Sequence, residues 1–221
     1  MSPRPSAGTA AAPKVDVERG TRHLRRKDPV MRDLIKRVGK LDLEARRRGR
    51  PTDAYGMLVR SIVGQQLSTK AARTIYERLT ALFDGRTPTP RDLLDADPDA
   101  IRAAGMSRPK IAYLRSLAEH VVSGELELDR LDELTDEDIV AELTAVKGLG
   151  VWTAHMFLIF HLGRPDVLPV GDLGVRNAAR TVYELEQLPT APELEELAEP
   201  WRPHRTLGAL YLWRSLDNEP G

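Results

Sequence analysis

Residues 143–179 read LTAVKGLGVWTAHMFLIFHLGRPDVLPVGDLGVRNAA, and the order of punctuation in that stretch decides the fold. A helical segment ends at a tight turn, Gly148-Leu149-Gly150. A second apolar helix, expected over Val151 to Leu162, follows at once. A Gly/Pro-rich connection then runs from Gly163 to Gly171, and Asp172 opens another helix at Leu173. Two glycines let the backbone come close to a ligand, and the N-terminus of the next helix presents free N–H groups, which suits a phosphate. The Gly-x-Gly is also half of a dinucleotide fingerprint. That reading fails its context: a helix, not a strand, precedes it, and Thr153 stands at the third glycine position. A bare Gly-x-Gly is otherwise a plain packing corner. Asp172 alone is an ordinary helix N-cap, and that role is compatible with a chemical one. An acid at a helix N-terminus is held ionised by the dipole and by backbone N–H groups. Beside a cleft, such a carboxylate can stabilise an oxocarbenium-like sugar or orient a water.

Working outward, helix punctuation is dense and strand signal nearly absent. Tyr55 to Val63 carries apolar residues at helical spacing. Ser68 can cap a helix over Thr69 to Phe83, with Ala71, Ala72, Ile75, Leu79 and Leu82 on its inner side. Thr89-Pro90 and Asp97-Pro98 each place a capping residue before a proline at the first helical position. Ser107 can cap a helix that runs to Gly124, and Thr135 with Asp138 starts another. Further helices fit Leu173 to Leu185, Glu193 to Glu199 and His204 to Leu216. The pattern predicts an all-α protein, with residues 1–27 as a disordered tail and one domain over residues 28–221. The hairpin occupies 139–162, and the Gly/Pro loop with Asp172 occupies 163–172.

Composition narrows the chemistry. The 221 residues contain no cysteine, which removes thiolate metal sites, a cysteine nucleophile and cysteine-held iron–sulfur clusters. No apolar run reaches the roughly 18 residues of a membrane span, so no membrane association is expected, and a cytoplasmic location follows by default. Net charge is zero, but it is unevenly spread. Residues 1–50 carry 15 basic and 6 acidic side chains, whereas residues 123–143 carry 9 acidic and 1 basic. A neutral chain can therefore present a basic face, although each single run also reads as a solvated helix surface. His155 and His161 are six residues apart and do not share a helix face, so they do not form a metal pair.

Four ordered motifs carry a resemblance. Beside the stretch quoted above stand LVRSIVGQQLSTKAA (58–72), GMSRPKIAYLRSLA (105–118) and WRPHRTLGALYLWR (201–214). Together they resemble the helix-hairpin-helix–Gly/Pro/Asp superfamily of DNA glycosylases, and within it the DNA-3-methyladenine glycosylase II (alkylpurine) family, over roughly residues 28–216. The resemblance implies two helical subdomains flanking a DNA-binding cleft. It implies Asp172 as the catalytic aspartate, and Gly148 and Gly150, with Lys147 and Thr153, at the DNA phosphate. A monovalent cation on the hairpin carbonyls of residues 145–150 is a known accompaniment; no metal or cofactor is required. Bifunctional members carry a Schiff-base lysine two residues after the second hairpin glycine, where this chain has Trp152. A monofunctional enzyme without lyase chemistry is therefore implied. Trp152 and Trp213 match positions that line the base pocket, Met156 stands where some relatives have an aromatic ring, and Trp201 reads as core. Gln66, with Leu67 beside it, lies where the family inserts a wedge into the duplex. The expected partner is double-stranded DNA containing alkylated bases, bound by a monomer. Two alternatives stay open: a non-catalytic helix-hairpin-helix DNA-binding module, and a glycosylase for another lesion class.

Overall fold

A computed structural model describes residues 13–43 and 49–216. Among these residues every regular element is helical. The chain divides into two compact units, Met1–Arg48 with Leu158–Gly221, and Gly49–Phe157.

The first unit begins with α1 (Val17–Lys27) and α2 (Pro29–Val38). The expectation of a disordered tail to residue 27 is corrected here for residues 17–27; residues 1–12 lie outside the described part. Asp16 caps α1 by accepting from the Arg19 N–H at 2.9 Å, and Gly20 and Leu24 are buried along one face. That stripe is only two residues wide among seven charged or histidine side chains, so charge density conceals it in the sequence. Asp28 ends α1 and caps α2. Its buried carboxylate accepts from the Met31 N–H, the Trp201 indole N–H and the Tyr183 hydroxyl. A buried carboxylate is tolerable only when hydrogen-bonded in this way, and the arrangement ties three distant segments together. Burial, followed by Asp28 itself, pushes the Tyr183 phenol far up. The unit continues with a π turn at Leu158–Leu162, α10 (Leu173–Val182), α11 (Ala191–Leu197), a 3-10 turn at Glu199–Trp201 and α12 (Arg205–Leu216). Seven α-helices of the second unit lie between α2 and α10 in the chain. Eight residues of α12 are buried, and it packs on α1, α2 and α10. Trp201 is fully buried as expected, its ring filling the space left by Gly208.

The second unit holds α3 (Ala54–Gly64), α4 (Thr69–Ala81), α5 (Pro90–Asp95), α6 (Pro98–Ala103), α7 (Arg108–Ser123), a 3-10 turn at Leu128–Glu133, α8 (Asp136–Ala145) and α9 (Val151–Phe157). The caps fall where the sequence puts them: Ser68, Thr89, Asp97 and Thr135 each accept a backbone N–H, an interaction worth about 0.5–2 kcal/mol apiece. α7 lies at the centre, with α3, α5 and α6 against it. Leu79 is buried as expected. Leu82 is not: it is 46% exposed, because α4 stops at Ala81 and Leu82 serves as its C-cap. The expected single helix from Val151 to Leu162 is instead α9 followed by the π turn. The widened π winding falls where the chain leaves one unit for the other.

Candidate active site and nucleic-acid interface

In the first unit, Asp172 is the N-cap of α10. Its Oδ1 accepts from the Val175 N–H at 2.8 Å and from the Trp213 indole N–H at 2.9 Å. The carboxylate is therefore held by two donors on one oxygen, one from its own helix and one from α12. Trp213 is half-buried and stacked on Phe160, with ring centroids 5.9 Å apart and planes 25° from parallel. Gly174 lets these groups meet: a Cβ there would lie 3.0 Å from Asp172 Oδ1 and 3.3 Å from Trp213 Nε1. A cavity of about 720 Å³ reaches Phe160, Ile159 and Leu210, but neither Asp172 nor Trp213 lines it.

The loop that delivers Asp172 is pinned by side chains that the sequence reading passed over. Thr206, fully buried, donates its hydroxyl to the Arg164 carbonyl at 2.7 Å and accepts from the Val167 N–H at 3.0 Å. Its own N–H donates to the Pro165 carbonyl at 3.1 Å. Asp166 accepts from Arg205 Nε at 2.9 Å and from Arg202 Nη1 at 2.8 Å, while Arg205 Nη2 donates to the Asp166 carbonyl at 2.8 Å. The start of α12 thus clamps the Gly/Pro loop, and the other end of the same helix, at Trp213, holds Asp172. The signal was present in the sequence: Arg205 and Thr206 lie inside the 201–214 motif. Their spacing to residues 164–167 is not local, so no periodicity reveals it.

In the second unit, α8 and α9 form the hairpin. Gly148 has φ +93°, a conformation favoured only by glycine, and a Cβ there would enter the Tyr113 ring. Gly150 differs, because a Cβ there would meet nothing within 4 Å. Lys147 and Gly150 are exposed, and Trp152 is 45% exposed. Thr153 is buried at 3% exposure, which takes its side chain away from the edge formed by Lys147, Gly150 and Trp152. Met156 is buried one helical turn after Trp152, on the same side of α9.

The connection between α3 and α4 is tied to this hairpin. Gln65 donates its side-chain amide to the Gly148 carbonyl at 2.8 Å. Lys110 donates its ammonium to the Val63 carbonyl at 2.8 Å, and burial pushes its pKa down. Gln66, next in the loop, is exposed and has φ +57°, a costly left-handed backbone for a residue with a Cβ. Leu67 is also exposed. Gln65, which the sequence reading did not single out, thus fixes the loop while Gln66 and Leu67 project from it. The second unit therefore gathers Lys147, Gly148, Gly150, Trp152, Met156, Gln66 and Leu67, and the first unit gathers Asp172 and Trp213.

Residues 59–203 match the family model of the HhH-GPD superfamily base excision DNA repair protein. The chain belongs to that superfamily. The matched span of this HhH-GPD protein contains the Gln66 loop, the hairpin and Asp172, and it ends ahead of Trp213. The DNA-3-methyladenine glycosylase 1 of Schizosaccharomyces pombe is 36% identical over 195 residues, 87% of this chain and 85% of that protein. A solved structure of the 3-methyladenine DNA glycosylase of that yeast, in complex with abasic DNA, superposes with a TM-score of 0.82 at 35% identity; it covers 91% of this chain and 98% of that one. A DNA-3-methyladenine glycosidase from Bacillus halodurans gives a TM-score of 0.79 at 36% identity, over 90% of this chain and 89% of that one.

Proposed function

We propose that this HhH-GPD protein is a monofunctional DNA glycosylase. It hydrolyses the N-glycosidic bond of alkylated bases of the 3-methyladenine and 7-methylguanine type in duplex DNA, in base excision repair. The observation that carries this reading is the Asp172 carboxylate, fixed through one oxygen by the Val175 N–H and the Trp213 indole N–H. A pure DNA-binding module has no use for a carboxylate positioned so carefully by an aromatic residue.

The physical logic follows from the lesion. A base in a duplex must be flipped out before it can be cut, and unstacking costs a few kcal/mol. Gln66, exposed and already strained toward the outside, fills the gap, with Leu67 beside it. The Gly148–Gly150 turn and the start of α9 take the backbone phosphate, with Lys147 adding charge. An alkylated purine such as 3-methyladenine or 7-methylguanine is cationic. It stacks on tryptophan faces, worth on the order of 0.5–2 kcal/mol, and it leaves readily without a strong general acid. Asp172 stabilises the developing sugar cation or orients the attacking water. Trp152 stands where a lyase would need its lysine, so an intact abasic site is the product. The hairpin carbonyls of Val146, Gly148 and Gly150 each already accept one hydrogen bond, from Leu149, Gln65 and Ala154. Each keeps a second lone pair, so the donor set suits a monovalent cation, which would supply positive charge beside the phosphate. In this role the protein acts as a monomer in the compartment that holds the DNA, the cytoplasm and its nucleoid; none of its described helices is long and apolar enough to cross a membrane.

Base release from duplexes carrying a single 7-methylguanine tests the reading. Asp172→Asn should abolish release while the melting temperature and lesion-DNA binding stay close to the parent's. Near-normal release by the folded variant would refute the assignment. Borohydride should trap no covalent enzyme–DNA adduct; a trapped adduct refutes the monofunctional reading.

A further inference from the structure

The first unit carries a second feature that the excision chemistry does not use. α1 and α2 enclose a groove of about 480 Å³ whose floor includes Ile35 and Tyr211. Four cations line it: Arg22 and Arg25 from α1, Lys36 from α2, and Lys40 just beyond the Gly39 turn. All four are exposed, and among the described residues none pairs with a carboxylate. The nearby acids are engaged elsewhere. Asp16 caps α1, Asp28 is buried under Tyr183 and Trp201, and Asp33 faces Arg32. Glu18 is the one acid in the lining. The floor is already satisfied, since the Thr21 and Tyr211 hydroxyls bond each other at 3.0 Å.

Four unpartnered like charges around one concavity repel one another and focus a positive field into it. Such a surface is stabilised when it meets regularly spaced negative charge. Arg22 and Arg25 lie about 4.5 Å apart along α1, and duplex DNA presents a phosphate about every 3.4 Å of axis on each strand. The groove is not part of the Asp172 site. Tyr211 and Trp213 are two residues apart on α12, which turns them about 200° from each other around the helix. The groove and the Asp172–Trp213 pair therefore lie on opposite sides of that helix.

We propose that this groove is a second DNA contact, which takes the phosphodiester backbone of a duplex segment other than the one that presents the lesion. Charge complementarity argues for DNA: four exposed cations line one groove against a single acid, Glu18, and a duplex presents an unbroken row of phosphates. A protein that must search long DNA for rare lesions gains from such a contact. It holds neighbouring duplex by a sequence-independent, salt-sensitive attraction without touching the chemistry.

The test combines Arg22→Gln, Arg25→Gln, Lys36→Gln and Lys40→Gln in the full-length chain, with melting temperature as the check on folding. The first readout is the slope of log affinity against log salt on an undamaged duplex several helical turns long. Each lost phosphate contact lowers its magnitude by about 0.9, so a fall of about 2 to 4 is expected. The second is single-turnover base release from a saturating lesion duplex of about one turn, expected to be unchanged. An unaltered slope overturns the proposal, whether or not the variant loses affinity for an acidic peptide. Loss of base release at a normal melting temperature also overturns it, because the groove would then belong to the lesion site. Absence of base release in the parent protein would count against the glycosylase reading and leave the slope measurement intact.

Discussion

Gly148 and Gly150 stand two residues apart in one turn, and replacing each by alanine should have opposite consequences. At Gly148 the backbone lies at φ +93°, and the new methyl would enter the Tyr113 ring. A left-handed backbone costs a residue with a Cβ about 1–2 kcal/mol. Forcing a methyl into a packed aromatic adds about 1–3 kcal/mol. Gly148→Ala should therefore destabilise the protein by about 2–5 kcal/mol. For a chain of this size that is a melting-temperature drop of about 4–20 °C, at about 2–4 °C per kcal/mol. It should also disturb the carbonyl that receives the Gln65 amide. At Gly150 the methyl meets open space, and alanine restricts the unfolded chain, so stability should be unchanged or higher by about 0.4–1 kcal/mol. Yet if a DNA phosphate seats on this turn, the same methyl occupies its approach. Affinity for duplex DNA should then fall at least about tenfold, or 1.4 kcal/mol. Thermal melting beside fluorescence anisotropy separates the two effects. Full affinity in a stable Gly150→Ala protein would falsify the phosphate role of the turn, and a large loss of stability there would show that its space is filled after all.

Trp213→Phe keeps a ring able to stack on Phe160 but removes the indole donor to Asp172; a hydrogen bond to a charged group is worth about 1.5–3 kcal/mol, so kcat should fall about 10- to 150-fold with KM little changed, and an unaltered kcat would show that Trp213 does not position the carboxylate. Gln66→Ala should slow excision from duplex far more than from single-stranded DNA carrying the same lesion, where no gap must be held open; equal losses would remove the wedge role and direct attention to Leu67. His204 is buried, and desolvation, then the facing His23 and Arg19, lower its pKa, against smaller opposite effects of Asp166 and Asp16. Because the folded state favours its neutral form, its contribution is present above the ordinary histidine pKa of about 6.5 and is lost as pH falls through the lower folded value. The melting temperature should therefore decline on acidification below about pH 6.5, and His204→Gln should flatten that decline; an equally steep decline in the variant would assign the acid sensitivity to other groups.

The helical class, most helix starts and the order hairpin, Gly/Pro loop, aspartate are all legible along the chain. These are local properties. Ser68, Thr89, Asp97 and Thr135 cap because a short polar side chain reaches an N–H two or three residues on, and that geometry is written in consecutive residues. Asp172 was legible for the same reason. Features that depend on residues far apart in the chain emerge only on folding. α1 is ordered because Leu24 and Gly20 find a core built partly from residues near 204–207, which its own charged sequence does not disclose. The clamp of Thr206 and Arg205 on residues 164–167, the Trp213 donor on Asp172 and the Gln65 bridge to Gly148 each join partners about 40 to 80 residues apart. The two glycines of the hairpin look alike in sequence, and only the Tyr113 ring beneath one of them tells a packing requirement from open space. Capping and periodicity act within a few residues and can be read along the chain, whereas steric fit and hydrogen-bond partnership across a core exist only once the chain has folded.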